Sequence, residues 1–142
     1  MKVPAHILLV EDDEIDAEVI FRSFARQKIA NPIVHAVDGL EALAMLRGEN
    51  SAVSLSRPYI ILSDINMPRM NGLELLKRIR EDPDLNPSVV FILTSSNQVE
   101  DKLAAYNAQI AGYILKQKPG QDFREMIRFL ECYQSIVELP DN

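Results

Sequence analysis

The chain has few of the residues on which several classes of protein depend: among its 142 residues are one cysteine, two histidines and no tryptophan. A single cysteine, Cys132, cannot form an internal disulfide, and two widely separated histidines give no zinc-finger spacing. The net charge of -6 leaves no basic surplus to follow a phosphate backbone. We therefore set aside disulfide-stapled domains, zinc fingers and direct binding of nucleic acid.

Long apolar runs are also missing. The longest near the start covers residues 7–10, which is too short for a signal peptide and far too short to span a bilayer. We expect no membrane segment and a cytoplasmic protein. A length of 142 residues, 47% of them apolar and 25% charged, predicts one globular domain with a single sizeable core.

The spacing of apolar residues predicts alternating strands and helices. Five short runs rich in branched apolar residues have the length of strands: 6–10, 32–36, 59–63, 89–93 and 112–115. Segments with helical spacing lie between them, and Asp38, Asn97 and Asp122 each precede an acid by three residues, a pattern typical of helix N-caps. Residues 48–58 and 82–87 are expected to be loops. This alternation predicts an α/β protein with a parallel sheet covered by helices on both faces.

Polar residues follow four of the predicted strands. These are Glu11 and Asp12, then Asp64, then Thr94, then Lys116. In an open parallel sheet the carboxyl ends of the strands meet at one edge, where ligands bind beside the topological switch point. We therefore expect these side chains to converge. The later acids of the run 11–18 are interpreted as a solvated helix start, since acids favour that end of the helix dipole.

A cluster of carboxylates needs compensation. Two carboxylates about 4 Å apart repel by ~4 kcal/mol at the effective dielectric of a protein surface. Either one of them is protonated or a cation is bound, and oxygen ligands at a partly open site suit Mg²⁺. A lysine and a hydroxyl facing that cation make a place for a phosphoryl group, and a carboxylate can itself be the nucleophile.

Four segments in this order, at residues 7–12, 63–72, 91–96 and 112–116, resemble the receiver domain of two-component response regulators. The resemblance covers residues 5–130 within a single receiver domain of residues 1–142. It implies a doubly wound (βα)5, flavodoxin-like fold, with a five-stranded parallel sheet in the order 2-1-3-4-5. It also implies self-catalysed, Mg²⁺-dependent phosphotransfer and autodephosphorylation, not the activity of a classical enzyme.

The resemblance assigns a role to each acidic position. Asp64 would be the phosphoacceptor, receiving the phosphoryl group from a histidine kinase. Asp12 would bind Mg²⁺ directly together with Asp64, Glu11 would act through water, and the main-chain carbonyl of Asn66 would complete the metal site. Thr94 would be the switch hydroxyl that turns toward the phosphoryl group.

The resemblance also assigns roles to two residues in and directly after the fifth strand. Lys116 would pair with the phosphoryl group, and Tyr113 would be the aromatic side chain that rotates on activation. The sequence departs from the family directly after the lysine, where receivers usually have proline and this chain has Gln117. Pro119 follows two residues late, so that Lys118 is an alternative functional lysine through a shifted loop.

The last predicted helix has two apolar stripes. The first contains the expected core residues Phe123, Met126, Ile127, Leu130 and Val137. The second contains Phe129, Cys132 and Ile136. Because one domain can cover only one of these faces, we predict that the second stripe packs on a partner or on a twin subunit.

The long connection 48–58 and the C-terminal segment 129–140 resemble the small stand-alone response regulators of cyanobacterial and bacterial phytochromes. This branch implies a phytochrome-type light sensor as the kinase, a homodimer, no attached output domain, and signalling by protein contact. Three alternatives stay open: a pseudo-receiver that is never phosphorylated, a haloacid-dehalogenase-type phosphatase, and a flavodoxin-like FMN binder. The phosphatase would need an acid at Asn66, and the FMN binder a loop without the acids that follow the first strand.

Overall fold

A computed structural model describes residues 4–49, 55–116 and 123–140 of the chain. Within these residues five strands alternate with five helices. Their bounds are β1 His6–Val10, α1 Glu14–Arg26, β2 Ile33–Ala36, α2 Gly39–Leu46, β3 Tyr59–Ser63, α3 Gly72–Glu81, β4 Val89–Thr94, α4 Val99–Asn107, β5 Gly112–Leu115 and α5 Arg124–Ile136. The predicted strands are confirmed, with small shifts at the start of β2 and at the end of β4.

The five strands form one parallel sheet in the order β2-β1-β3-β4-β5. The predicted (βα)5 fold and its strand order are confirmed. The central strand β3 is buried along its whole length, as expected of a strand that is covered on both faces. Because β1 and β3 lie side by side at the middle of the sheet, their carboxyl ends bring residues 11–12 and 64 together.

Two apolar clusters cover the two faces of the sheet. Leu8 and Val10 of β1 pack with residues of α2 and α3 on one face, whereas Ile7 and Leu9 pack with residues of α1 and α5 on the other. Alternate residues of a strand point to opposite faces, so the apolar run of β1 supplies both clusters. The second cluster includes Met126, Ile127 and Leu130, which confirms the central residues of the predicted core stripe of α5.

The predicted N-caps have different outcomes. Asp38 caps α2, and its Oδ1 accepts a hydrogen bond at 2.9 Å from the backbone N–H three residues on. The cap predicted at Asn97 is wrong, because α4 begins two residues later and Asn97 falls outside the cap position. Ser96 instead donates its hydroxyl to Asp101 Oδ2 at 2.6 Å in the first turn of α4. The cap predicted at Asp122 lies outside the described residues.

The predicted loop at residues 82–87 is confirmed and directly follows α3. The described ends of the 48–58 connection likewise contain neither helix nor strand until β3 begins, whereas residues 50–54 lie outside the described part. In the described ranges we find no helix that combines the length and the apolar character needed to cross a membrane.

Candidate functional site

The acids that follow β1 and β3 meet at the carboxyl edge of the sheet. One carboxylate oxygen from each of Glu11, Asp12 and Asp64 lies within 4.8 Å of the other two. Glu11 and Asp64 are buried, with exposed fractions of 1% and 7%, whereas Asp12 is exposed. The predicted convergence is therefore observed, and one side of the cluster is open to solvent.

Lys116, directly after β5, extends its ammonium group into this cluster. Its Nζ lies 2.8 Å from Glu11 Oε1, 2.9 Å from Asp64 Oδ2 and 2.7 Å from Asp16 Oδ2. Lys116 is thus the described lysine that reaches the acids, whereas Gln117, Lys118 and Pro119 lie outside the described residues.

Asp16 is a site residue that the sequence analysis missed. Its carboxylate was expected to be part of a solvated helix start, yet it makes the shortest of the three contacts with Lys116. Asp16 lies in the first turn of α1, which begins four residues after the end of β1, so that its carboxylate lies at the same edge of the sheet as Lys116. No spacing of residue types in the sequence indicated this contact.

Burial and charge shift the ionisation of the two most enclosed groups. Burial raises the pKa of Glu11 to about 7, the charge of Asp64 adds to this shift, and the hydrogen bond from Lys116 opposes it. Burial alone would lower the pKa of Lys116, but its hydrogen bonds to Asp16, Glu11 and Asp64 raise that pKa above its ordinary value. The lysine therefore stays charged, and Glu11 holds a proton more tightly than an exposed glutamate does.

The backbone around Asp64 depends on a glycine. Ile65 donates its N–H to Asp64 Oδ1 at 2.7 Å, and Gly72 donates its own N–H to the carbonyl of Ile65 at 2.8 Å. A Cβ at Gly72 would lie 2.0 Å from the carbonyl oxygen of Asp64. Sequence reasoning interpreted Asn71 and Gly72 as a cap and a turn; Asn71 does cap α3, but the close approach of Gly72 to Asp64 was missed.

A second set of contacts fixes the loop between Asp64 and α3. Arg69 donates its Nε–H to Oδ2 of the buried Asp38 at 2.6 Å, and its backbone adopts the left-handed conformation at φ 64°. Gly39 donates its N–H to the carbonyl of Met70 at 3.0 Å. The loop is therefore fastened to the start of α2 at two adjacent points, which the sequence pattern did not indicate.

The two predicted switch residues are joined through one loop residue. Thr94 is fully buried at the end of β4, and its Oγ1 accepts a hydrogen bond from the N–H of Ser96 at 3.3 Å. The hydroxyl of Tyr113 donates to the carbonyl of Ser96 at 2.8 Å. The Nζ of Lys102 lies 6.0 Å from the centre of the Tyr113 ring. Ser96 therefore connects both side chains to the start of α4.

The donor set fits a hard divalent cation. Three carboxylate oxygens that lie close together, with one side open to water, match the ligands of a cation that retains part of its hydration shell. Asn66, whose main-chain carbonyl is the fourth predicted ligand, lies in the exposed part of the loop two residues after Asp64.

Comparison with known proteins agrees with this geometry. The sequence matches the response regulator receiver domain over residues 7–128. Response regulator Rcp1 of Synechocystis sp. is 32% identical over 138 residues, which cover 96% of this chain and 94% of Rcp1. The phosphorylated cyanobacterial phytochrome response regulator RcpA has a TM-score of 0.87 at 32% identity, over 97% of this chain and 99% of RcpA. The Mn²⁺-bound form of Rcp1 has a TM-score of 0.84 at 32% identity, over 96% of this chain and 99% of that chain.

These matches span nearly the whole length of both partners in each pair. Receiver domains are in general not classical enzymes, and their occurrence implies a cognate sensor kinase. The phosphatase and FMN-binder alternatives are set aside by the match. The chain belongs to the response regulator receiver domain family and is related to the phytochrome response regulators.

Proposed function

We propose that this protein is a single receiver domain that accepts a phosphoryl group on Asp64 from a sensor histidine kinase of the phytochrome type. It acts in the cytoplasm and passes its signal on by protein contact. One observation carries the proposal: Asp64 lies within hydrogen-bond distance of Lys116 and beside two further acids at the open edge of the sheet.

The transfer needs a nucleophile and a cation in place. An Oδ of Asp64 forms the new bond to phosphorus while the bond from phosphorus to the donor histidine nitrogen breaks, and the electron pair of that bond returns to the nitrogen. Lys116, held at 2.9 Å from Asp64 Oδ2, offsets negative charge on the phosphoryl oxygens. The chain thus contributes mainly positioning and electrostatic stabilisation.

The metal ligands in this proposal are the carboxylates of Asp12 and Asp64, Glu11 through water, and the main-chain carbonyl of Asn66. A Mg²⁺ ion held by these residues would neutralise charge at the transferred phosphoryl group. The proximity of the three carboxylates supports this assignment.

The phosphoryl group then acts on the switch residues. It would bring about two negative charges and strong acceptor oxygens to the edge of the sheet where Thr94, with its buried hydroxyl, ends the neighbouring strand β4. Rotation of Thr94 toward it would break the hydrogen bond from the N–H of Ser96, and Tyr113 is bonded to the carbonyl of the same residue. The change therefore reaches the start of α4 and the surface formed by α4, β5 and α5.

The test is the intact mass of the protein after incubation with acetyl phosphate and Mg²⁺. The expected result is an adduct of one phosphoryl group on the wild type that is absent from Asp64→Asn and absent when EDTA replaces Mg²⁺. A wild-type protein that is folded and gains no adduct would contradict the proposal. That outcome would favour a pseudo-receiver that acts through contacts independent of phosphorylation.

We further propose that the chain forms a homodimer through the exposed stripe of α5. Ile136 is 73% exposed, Cys132 is exposed, and the half-exposed ring of Phe129 packs edge-on against Phe91 at 5.6 Å between centroids. Val99 and Leu103 of α4 and Leu115 of β5 are exposed apolar residues as well. Clustered exposed apolar residues are a feature of protein interfaces, and those of α5 support this one.

Sedimentation velocity over a range of concentrations tests the dimer. We expect a dimer in the wild type and a shift to monomer in Ile136→Ser. Ile15 on α1 is equally exposed, at 74%, so Ile15→Ser is the matched control and should leave the dimer intact. A wild-type monomer at every concentration would contradict this proposal.

A further inference from the structure

Two of the three carboxylates that contact Lys116 belong to the candidate metal site. Glu11 and Asp64 each lie within 4.8 Å of Asp12 in the acidic cluster and also accept a hydrogen bond or ion pair from Lys116. The third, Asp16, lies outside that cluster and contacts Lys116 at 2.7 Å. The lysine therefore has two partners that it would share with a cation and one that it would not.

The difference between Asp16 and the other two partners determines which of them can keep its hydrogen bond to Lys116 when a metal ion binds. A lysine ammonium has three N–H donors, and here three carboxylates accept one each. A divalent cation competes with Lys116 for the oxygens of Glu11 and Asp64. Phosphorylation then turns one oxygen of Asp64 into part of an acyl phosphate. Among the described partners of Lys116, Asp16 is the one that neither metal binding nor phosphorylation of Asp64 alters.

We propose that Asp16 is a positioning residue, which holds the ammonium group of Lys116 at the site while the metal binds and the phosphoryl group is transferred. The inference rests on the proposed phosphoryl-acceptor function and adds a residue to it. Asp16 acts through Lys116 and does not itself contact the phosphoryl group.

The start of α1 is a suitable support for this role. Oδ1 of Asp13 accepts hydrogen bonds from the N–H groups of Ile15 and Asp16, at 2.9 and 3.0 Å, so that the backbone that carries the Asp16 side chain is capped and fixed. The carboxylate of Asp16 is one-third exposed, with an exposed fraction of 33%, whereas the lysine side chain is 11% exposed. A fixed carboxylate at the rim thus holds a lysine that is nearly enclosed.

The proposal and simple electrostatics predict changes of opposite sign in the phosphorylation rate when the charge of Asp16 is removed, which makes the proposal testable. Removing a negative charge near the incoming phosphoryl group should speed up its transfer if charge alone matters. If Asp16 positions Lys116, the same change should slow the transfer. The sign of the effect therefore separates the two explanations.

The first measurement is the rate of phosphorylation by acetyl phosphate at saturating Mg²⁺, for Asp16→Ala and Asp16→Asn. We expect Asp16→Ala to be slower by about tenfold, the lower end of what the loss of such a supporting partner typically costs. Because Asp16 lies outside the acidic cluster, the Mg²⁺ affinity should stay close to that of the wild type. Asp16→Asn keeps a hydrogen-bond acceptor and should fall between the wild type and Asp16→Ala. A rate for Asp16→Ala at or above the wild-type rate would overturn the proposal.

Glu14 offers a matched control. It is an exposed acid in the same first turn of α1, and within the part of the chain that the structure describes it is not among the partners of Lys116. Glu14→Ala removes the same charge at the same end of the helix dipole and should leave the rate unchanged. An equal loss of rate in Glu14→Ala and Asp16→Ala would assign the effect to the helix and overturn the proposal.

The second measurement does not depend on phosphorylation. In the Mg²⁺-bound protein without a phosphate donor, the ammonium protons of Lys116 should stay visible by ¹⁵N NMR in the wild type and in Glu14→Ala, and disappear in Asp16→Ala. If the wild type shows this signal but is never phosphorylated, the positioning role stands and the proposed function fails. If Mg²⁺ removes the signal from the wild type, the positioning role is overturned whatever the phosphorylation result.

Discussion

At the carboxyl edge of the sheet, Lys116 contacts three carboxylates at distances of 2.7 to 2.9 Å, and two of those acids are buried. Helix α4 begins five residues beyond Thr94 and is packed much more loosely. All nine of its residues are described, and Ala105 is the buried one among them, while Val99 and Leu103 are mostly exposed. The cluster of Lys116 and its carboxylates is therefore enclosed, whereas the nearby helix α4 is loosely packed against the rest of the fold.

This difference indicates how a local chemical change can spread. Few buried apolar contacts mean a low free energy of local opening, and α4 has fewer buried residues than any other helix in the described part of the chain, so that it is the helix most easily displaced. Ser96 connects the two regions, since its backbone bonds to Thr94 and Tyr113 and its hydroxyl to Asp101 of α4. A change at Thr94 thus acts directly on the start of the helix.

The far end of α4 is held differently. Arg80 of α3 donates hydrogen bonds to the carbonyls of Ala108 and Gln109, at 2.7 and 2.9 Å, directly after the helix ends. A guanidinium group at this position also complements the negative end of the helix dipole. We infer that the N-terminal end of α4 moves more readily than its C-terminal end.

The largest effect on stability is expected when the buried carboxylates lose the ammonium group of Lys116. Lys116→Met leaves Glu11 and Asp64 buried without it, and breaking a buried ion pair in this way costs about 3–5 kcal/mol of unfolding free energy. Urea unfolding in EDTA should show this loss, and saturating Mg²⁺ should restore part of it.

Lys102 in α4 provides the control for Lys116. It is exposed, and Lys102→Met should change the unfolding free energy by less than about 0.5 kcal/mol. Equal losses in the two variants would mean that the site is no more sensitive to lost charge than α4, which contradicts the comparison.

The next effect concerns the backbone of Asp64. Gly72→Ala would place a Cβ against the carbonyl of Asp64, and relieving such an overlap by backbone shifts costs about 2–3 kcal/mol. Gly48→Ala is the control. Among the described residues a Cβ at Gly48 meets no neighbouring atom, but the φ of 72° should cost about 1 kcal/mol through backbone strain. Thermal unfolding gives both values, and a smaller loss at Gly72 than at Gly48 would show that the close approach is not a constraint.

A third effect follows from the raised pKa of Glu11, which is about 7. A protonated Glu11 is a poor acceptor for a water bound to the metal, so Mg²⁺ affinity should rise with pH up to about 7 and then level off, by at most about tenfold per pH unit. Titration calorimetry measures this change in Mg²⁺ affinity. The range from pH 6 to pH 8 covers roughly one unit on either side of the pKa of Glu11. Glu11→Gln should flatten it, and a wild-type affinity independent of pH would contradict the prediction.

The raised pKa of Glu11 also affects the stability of the metal-free protein, which should fall as the pH rises, whereas Mg²⁺ affinity should increase. Because folded Glu11 binds its proton more tightly than the unfolded chain does, its contribution to stability is full below a pH of 4.5. It is then lost as the pH rises through about 7. Urea unfolding in EDTA at several pH values should therefore show a decrease over this window, reduced in Glu11→Gln.

The smallest effect is expected on α4. Leu103 is 58% exposed, so Leu103→Ser should change the unfolding free energy by less than about 0.5 kcal/mol and leave the phosphorylation rate unchanged. A loss comparable with that of Gly72→Ala, measured under the same conditions, would show that α4 is packed as firmly as the site.

Much of the fold could be predicted because its signals are local. Runs of branched apolar residues gave the strands, and polar residues directly after the strands gave the convergence of Glu11, Asp12, Asp64 and Lys116 at one edge. The cap at Asn97 was wrong because the polar spacing there fits more than one helix start, and the side chain of Ser96 reaches Asp101 instead.

The missed residues depend on distances between segments that are remote in sequence. The contact of Asp16 with Lys116 joins residues 100 positions apart, and the Arg69–Asp38 pair joins residues 31 apart. The closeness of Gly72 to Asp64 is set by the path of the loop between them. Patterns of residue type contain no such distances, so these residues are identified only in the folded chain.

The most direct test of the account is hydrogen–deuterium exchange of the protein with and without phosphorylation of Asp64. Exchange should change most in the loop after Thr94 and in the N-terminal half of α4. It should change less in the C-terminal end of α4 that Arg80 holds, and least in α2. Exchange that is unchanged throughout α4, or that changes mainly in α2, would contradict the claim that the enclosed site acts on the loosely packed helix.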